Sequence, residues 1–266
     1  MFASVLVGGL RDLIASLDKM PLVGALGWQD VRQRYRRSSL GAFWLTLSMG
    51  VMIASIGLVF GQIFNSPVHE FFPHLAAGLI LWMFLLNTIT EGCAGFIASD
   101  AIIKQLPIPL PVHVFRLLWR NIIILGHNIV IFPLVLLAVS KPISWVAFMS
   151  IPGFVLMLVN LLWMCLLLST ICARYRDIPQ IIASVMQVIF YLTPIMWLPE
   201  LLPNRSGALI VQANPFYHLI EIVRAPLLGA MPSLLNWIVC GAIAVIGWLV
   251  TLSVYGRYRR RIAYWL

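Results

Sequence analysis

From Ser38 to His69 the chain carries no Asp, Glu, Lys or Arg, and Arg32, Arg34, Arg36 and Arg37 crowd the residues just before that run. A stretch of this length and polarity has few options. As a helix of about 20 or more apolar residues it can cross a bilayer with every backbone group satisfied internally. The pattern recurs down the chain. Membrane spans are expected at about Leu40–Phe64, Phe72–Ile97, Val114–Val139, Ile143–Cys172, Ile178–Leu198 and Leu234–Tyr255. Only 10% of residues are charged, against roughly 25% in a soluble domain. The expected fold is therefore an all-α polytopic membrane protein, one transmembrane domain over 1–266 with six transmembrane helices.

Charge placement orients the bundle. Cytoplasmic flanks of spans carry the excess of Lys and Arg. With six spans and both termini cytoplasmic, Lys141, Arg205 and Arg224 fall outside, Arg120 falls within the third span, and the other basic residues fall inside. The net charge of +9 then reports topology and contact with membrane lipids, not nucleic acid.

The segments between spans have their own signals. Residues 1–37 form a cytoplasmic amphipathic segment. In it Phe2, Leu6, Leu10, Leu13, Ile14 and Leu17 recur at helical spacing, an interfacial helix that Pro21 is expected to end. Leu40-Gly41 marks a bend into the six-span bundle over 38–256. Gly57 and Gly61 form a GxxxG pair that permits close helix approach, within the chain or between copies. Ser99 or Asp100 can cap a short helix that Pro107, Pro109 and Pro111 stop. Pro133 is a kink site in the third span. Segment 198–232 predicts two short outer helices, with Asn214 as N-cap and Pro215 in the first turn. Residues 257–266 are a basic, aromatic tail suited to the inner interface.

Catalytic signals are absent from the sequence. It has no phosphate loop, no H-E-x-x-H and no G-x-S-x-G. The four Cys form no C-x-x-C pair, so no metal site is expected. His127 stands nearest to a catalytic base and reads as a packing residue. Glu91 is the one carboxylate within an expected span. Pairing with Arg120 or His127 of the third span is the favoured reading, ahead of proton coupling. The aromatic residues Trp82, Phe84, Phe190 and Tyr191 suit a sliding surface for sugar rings, whose C–H faces attract aromatic faces. An interfacial aromatic belt is the plainer reading.

Five motifs in register extend the reading: the basic cluster followed by Ser38-x-Leu-Gly-x-Phe-Trp44, Ile103-Lys-Gln-x-Pro-x-Pro109, Ala173-Arg-Tyr-Arg-Asp-Ile-Pro179, Thr193-Pro-Ile195 and Asn214-Pro-Phe216. Together they resemble the membrane subunit of polysaccharide-export ABC transporters, of the O-antigen exporter type. The resemblance implies a homodimeric permease in the bacterial inner membrane, served by two copies of a separate ATPase that holds ATP and Mg. This chain itself would be no enzyme and hold no cofactor. Asp100, Ile103, Lys104 and Leu106 would couple to the ATPase. Arg32, Arg34, Arg36 and Arg37, with Leu40 and Gly41, would form the gate at which a lipid-linked polysaccharide loads. Arg174 and Arg176 would be secondary candidates for contacting its pyrophosphate, since guanidinium forks match phosphate oxygens. Trp82, Phe84, Phe190 and Tyr191 would line the channel. Alternatives are a capsule polymer, teichoic acid or small molecule on the same scaffold, or a proton-coupled secondary transporter.

Overall fold

A computed structural model describes residues 2–36, 41, 43–64, 67–199 and 205–266, with side chains from 5 in the first helix and from 209 in the helix that begins at Arg205. Arg37 and Leu40 lie outside the described residues. In chain order the helices are α1 (Phe2–Leu17), α2 (Met20–Arg34), α3 (Phe43–Ile63), α4 (Val68–Ala94), α5 (Asp100–Gln105), α6 (Pro111–Asn128), α7 (Ile131–Ala138), α8 (Ser150–Arg174), α9 (Ile178–Leu192), α10 (Arg205–Ala213), α11 (Pro215–Leu227), α12 (Leu234–Tyr258) and α13 (Ile262–Trp265). Among the described residues there is no strand.

The bundle is organised around α4. Its Phe71, Leu75, Leu79, Ile80, Trp82 and Leu85 are essentially sealed from solvent. It packs against α3, α6, α7, α8, α9 and α11. Small residues allow this crowding: a Cβ at Gly92 would sit 2.7 Å from the Cys165 sulfur of α8. Helix α8 in turn carries α12, α12 carries α1, and α2 lies along α6. The GxxxG pair packs within the chain. A Cβ at Gly57 would meet the Phe72 ring at 2.7 Å, and Gly61 faces Phe71.

Five helices, with α6 and α7 taken as one unit, are long and apolar enough to cross a membrane: Phe43–Ile63, Val68–Ala94, Pro111–Ala138, Trp145–Arg174 and Leu234–Tyr258. The fifth expected span is shorter than its apolar run. Helix α9 has 15 residues, about 22 Å of rise, where the run from Ile178 extends to Leu198. Pro194 is the cause. The residue before a proline is driven to extended geometry, and Thr193 stands at φ −93°, ψ 130°.

Prolines act elsewhere with different outcomes. Pro133 lies in the first turn of α7, just past the break between α6 and α7, where its missing N–H cannot bond the carbonyl of Ile129. Pro21 does not end α1, contrary to expectation. Helix α1 stops at Leu17, and Pro21 sits in the first turn of α2, a position where an absent N–H costs nothing. Helix α5 begins after Ser99, whose side chain makes no capping bond. It ends at Leu106, extended ahead of Pro107 at φ −120°, ψ 133°. Asn214 does cap α11, accepting a hydrogen bond from Phe216 N at 3.0 Å. That helix runs past Arg224 to Leu227, and Gly229 at φ +91° turns the chain away.

Helix α1 is two-faced. Leu13 and Ser16 point inward, while Val7, Leu10, Ile14 and Leu17 form an exposed apolar stripe. It is fastened to α12 by Asp12, which accepts from the Tyr255 hydroxyl at 3.0 Å and from Arg259 at 2.5 Å.

Candidate functional site

Two features concentrate the chemistry: a charged lattice beneath α2, and an aromatic groove between α3 and α9. The lattice joins three helices. Glu91, near the end of α4, accepts from Arg120 at 2.7 Å and Asn121 at 2.6 Å on α6, and from Arg34 at 2.9 Å on α2. Asp30 of α2 accepts from both the Nε and Nη2 of Arg116, and from Arg120 at 3.2 Å. A bidentate guanidinium–carboxylate pair fixes direction as well as distance, so the carboxyl-terminal half of α2 is held in one orientation. Backbone proximity reinforces this, because a Cβ at Gly27 would lie 2.7 Å from the Trp119 ring of α6. Partial burial opposes charge on Arg34. Its hydrogen bond to Glu91 and the attraction of that carboxylate outweigh burial and raise its pKa.

Of the expected gate residues that are described, only Arg34 enters this lattice. Arg32 and Arg36 line a shallow hollow of about 370 Å³ with Gln29 and Gln33. Gly41 adopts φ +57°, a left-handed geometry that favours glycine. Arg174 and Arg176 gather against Trp265 near the end of the chain. The Arg174 guanidinium sits 5.3 Å from the Trp265 ring centroid and 5.4 Å from that of Tyr175, and Arg176 donates to the Trp265 carbonyl at 3.2 Å.

Sequence reasoning reached the Glu91–Arg120 pair but not Asp30, Arg116, Asn121 or His113. The signal was spacing. His113, Arg116 and Arg120 stand at i, i+3 and i+7, one face of α6. His127 takes no part, since its Nδ1 bonds the Ile123 carbonyl one turn back at 2.8 Å.

The groove is apolar, about 540 Å³, and is lined by Met52 and Ile56 of α3, Leu79 and Trp82 of α4, and Met186 and Phe190 of α9. Trp82 and Phe190 meet at 5.5 Å between centroids, and Tyr191 adjoins Phe190 at 5.4 Å with 64% of its surface exposed. Phe84 lies elsewhere, buried against Phe154 of α8 at 5.7 Å. Asn87, Thr90 and Gln187 add polar groups to the groove wall.

On α5, Lys104 and Asp100 form an i, i+4 ion pair at 2.9 Å. Leu106 is half exposed and Ile103 partly buried. Helix α13 rests against α8 and touches α5.

Comparison with known proteins places these features in context. Residues 21–228 match the ABC-2 type transporter family. An O-antigen export system permease protein RfbA of Klebsiella pneumoniae is 21% identical over 245 residues, covering 88% of this chain and 91% of that protein. A second such protein from the same organism is 22% identical over 72% of this chain and 74% of its own length. One from Myxococcus xanthus is 21% identical over 77% and 79%.

Proposed function

Because the chain belongs to the ABC-2 type transporter family, and is thereby a multi-pass membrane permease, we propose that it is the channel-forming subunit of a polysaccharide exporter. Two copies assemble with two copies of a separate ATPase, which binds ATP and Mg. The cargo is a polysaccharide on an undecaprenyl pyrophosphate carrier, moved from cytoplasm to periplasm across the bacterial inner membrane. Helix α9 with the residues up to Leu198 makes the fifth of six spans, and both termini are cytoplasmic. Helix α1 lies in the inner interface on its apolar stripe, α5 couples to the ATPase, and α10 and α11 sit toward the periplasm.

One observation carries the cargo class: relatives named for O-antigen export align over 72 to 88% of the chain, not one short segment of it. The groove supports it. A wall of Trp82 and Phe190 with scattered amide and hydroxyl groups suits successive sugar rings, which need weak, repeated contacts to slide. The lattice also speaks against a proton carrier. Glu91 is spent on two guanidiniums, and a carboxylate so engaged is poorly placed to take and release protons.

The test is reconstitution in proteoliposomes with and without the ATPase subunit, following a lipid-linked polysaccharide to the far side. Export is expected only with the ATPase and ATP. Tyr191→Ala is expected to slow export several-fold while leaving thermal stability within about 0.5 kcal/mol, the usual range for an exposed side chain. Proton-driven flux from the chain alone would overturn the proposal.

A further inference from the structure

Beneath α2 the charged lattice encloses a cavity of about 300 Å³, lined by Arg34, Glu91, Ser99, His113, Arg116 and Arg120 among others. Three guanidiniums face it or border it against the two carboxylates of Glu91 and Asp30, so the site keeps an excess of positive charge. Its most unusual member is His113. The residue is 3% exposed, yet neither ring nitrogen has a hydrogen-bond partner among the described residues, and the same holds for Arg120 Nε. Buried polar groups are ordinarily satisfied. A neutral imidazole carries one N–H donor, and that donor and the Arg120 Nε–H, both on residues lining a cationic cavity, ask for a ligand that accepts hydrogen bonds.

We propose that this cavity binds a phosphate group, which takes its hydrogen bonds from His113, Arg120 Nε and Ser99 and competes with Glu91 and Asp30 for the arginines. The inference rests on the transport reading only in naming a lipid headgroup as one source of the phosphate; the chemistry of the cavity stands apart from it. A phosphate presents several strong acceptors to the forks that now hold α2. Its arrival therefore weakens the clamps from α2 to α4 and α6. The ligand that fills the cavity is thus also the signal that frees the helix above it. Neither Arg32 and Arg36 of α2 nor the pair near Trp265 lines this cavity.

The experiment uses the full chain in phosphatidylcholine nanodiscs. Inorganic pyrophosphate and geranylgeranyl pyrophosphate are titrated by calorimetry, and phosphatidylglycerol is added to the disc in a third arm read by native mass spectrometry. The expected result is binding of at least one probe that weakens tenfold or more in His113→Ala, whose unfolding temperature is unchanged. Hydrogen exchange in Met20–Arg34 should rise on binding. Binding of free pyrophosphate identifies a soluble anion as sufficient, binding of the prenylated probe alone identifies a lipid carrier headgroup, and retention of phosphatidylglycerol alone identifies a bulk phospholipid. No binding of any probe overturns the site, as does equal affinity in His113→Ala. Binding with no rise in exchange overturns the competition. If affinity falls instead in Arg32→Gln or Arg36→Gln and not in His113→Ala, the headgroup sits on the exposed face of α2; this inference then fails while the export function stands.

Discussion

Replacing Glu91 with Gln isolates what the lattice contributes. The substitution keeps the volume, removes the charge and turns one acceptor into an NH2 facing guanidinium donors. Two arms weaken. The arm to Arg34, whose side chain is 45% exposed, is worth about 0.5 kcal/mol, as for other solvent-facing pairs. The arm to Arg120, with both side chains only about one-fifth exposed, is worth about 1.5 kcal/mol as a charge-assisted hydrogen bond. Arg120 keeps Asp30 at 3.2 Å, so the larger penalty for stranding a buried charge does not apply. The loss is about 2 kcal/mol, a rise of about 30-fold in the open population of the last turns of α2. Native-state hydrogen exchange at Val31–Arg34, with the full chain in nanodiscs, reads that population directly. The amides before Asp30 should change less, because Asp30 still holds Arg116. A change below threefold would refute the energetic role of the lattice. So would a Glu91→Gln, Arg120→Met cycle with no coupling.

Two further outcomes follow from neighbouring geometry. Gly27→Ala should cost about 1–3 kcal/mol by forcing α2 off Trp119. Gly24→Ala on the same helix, with nothing within 4 Å of the new Cβ, should gain about 0.5 kcal/mol; equal unfolding temperatures for the two would mean that α2 is not seated on α6. Leu106→Asp, at a half-exposed site beyond α5, should cut co-purification of the ATPase subunit at least tenfold without altering the unfolding temperature, and unchanged retention would remove α5 from the coupling role.

The long apolar runs were legible because hydropathy over twenty residues leaves a bilayer-crossing helix as the main choice. Cap chemistry was legible at Asn214, where a short polar side chain precedes a proline. It misled at Pro21, because a proline reads alike after a helix and at the start of one. The full length of α9 was not legible from polarity, since the apolar run continues through Pro194 after the helix has ended. The lattice was half legible. Glu91 and Arg120 each stand out as charges in apolar surroundings, whereas Asp30 lies among arginines and glutamines and looks like any solvated residue. Its partner Arg116 is 86 residues away, and no local pattern specifies a contact at that separation. Arg224 was similarly disguised. It reads as an outer-loop charge but is 1% exposed, donating to the Pro194 carbonyl at 2.6 Å and to Glu221 at 2.6 and 3.0 Å.

That second buried cation bears on how the groove can change shape. Arg224 also approaches His74 of α4 at 3.1 Å. His74 and Glu91 are 17 residues apart on one helix, about 25 Å of rise, close to the thickness of a hydrocarbon core. Helix α4 is therefore pinned by directional polar contacts near both ends and sealed by packing between them. The flanking walls are held differently. Neither α3 nor α9 contains a charged residue. Helix α3 is tied to α6 by the Thr46 hydroxyl on the His127 carbonyl at 3.1 Å and rests on α4 through apolar side chains. Apolar contact is non-directional, so it survives sliding that would break an ion pair. Widening the groove by moving α3 or α9 exchanges one set of apolar contacts for another. Moving α4 would break the Glu91 pairs with Arg34 and Arg120 and part His74 from Arg224, which keeps Glu221 and the Pro194 carbonyl. On the proposed reading, a polymer passing Trp82 would meet one fixed wall and two that can shift, and the charges that fix α4 are not among the residues lining the groove.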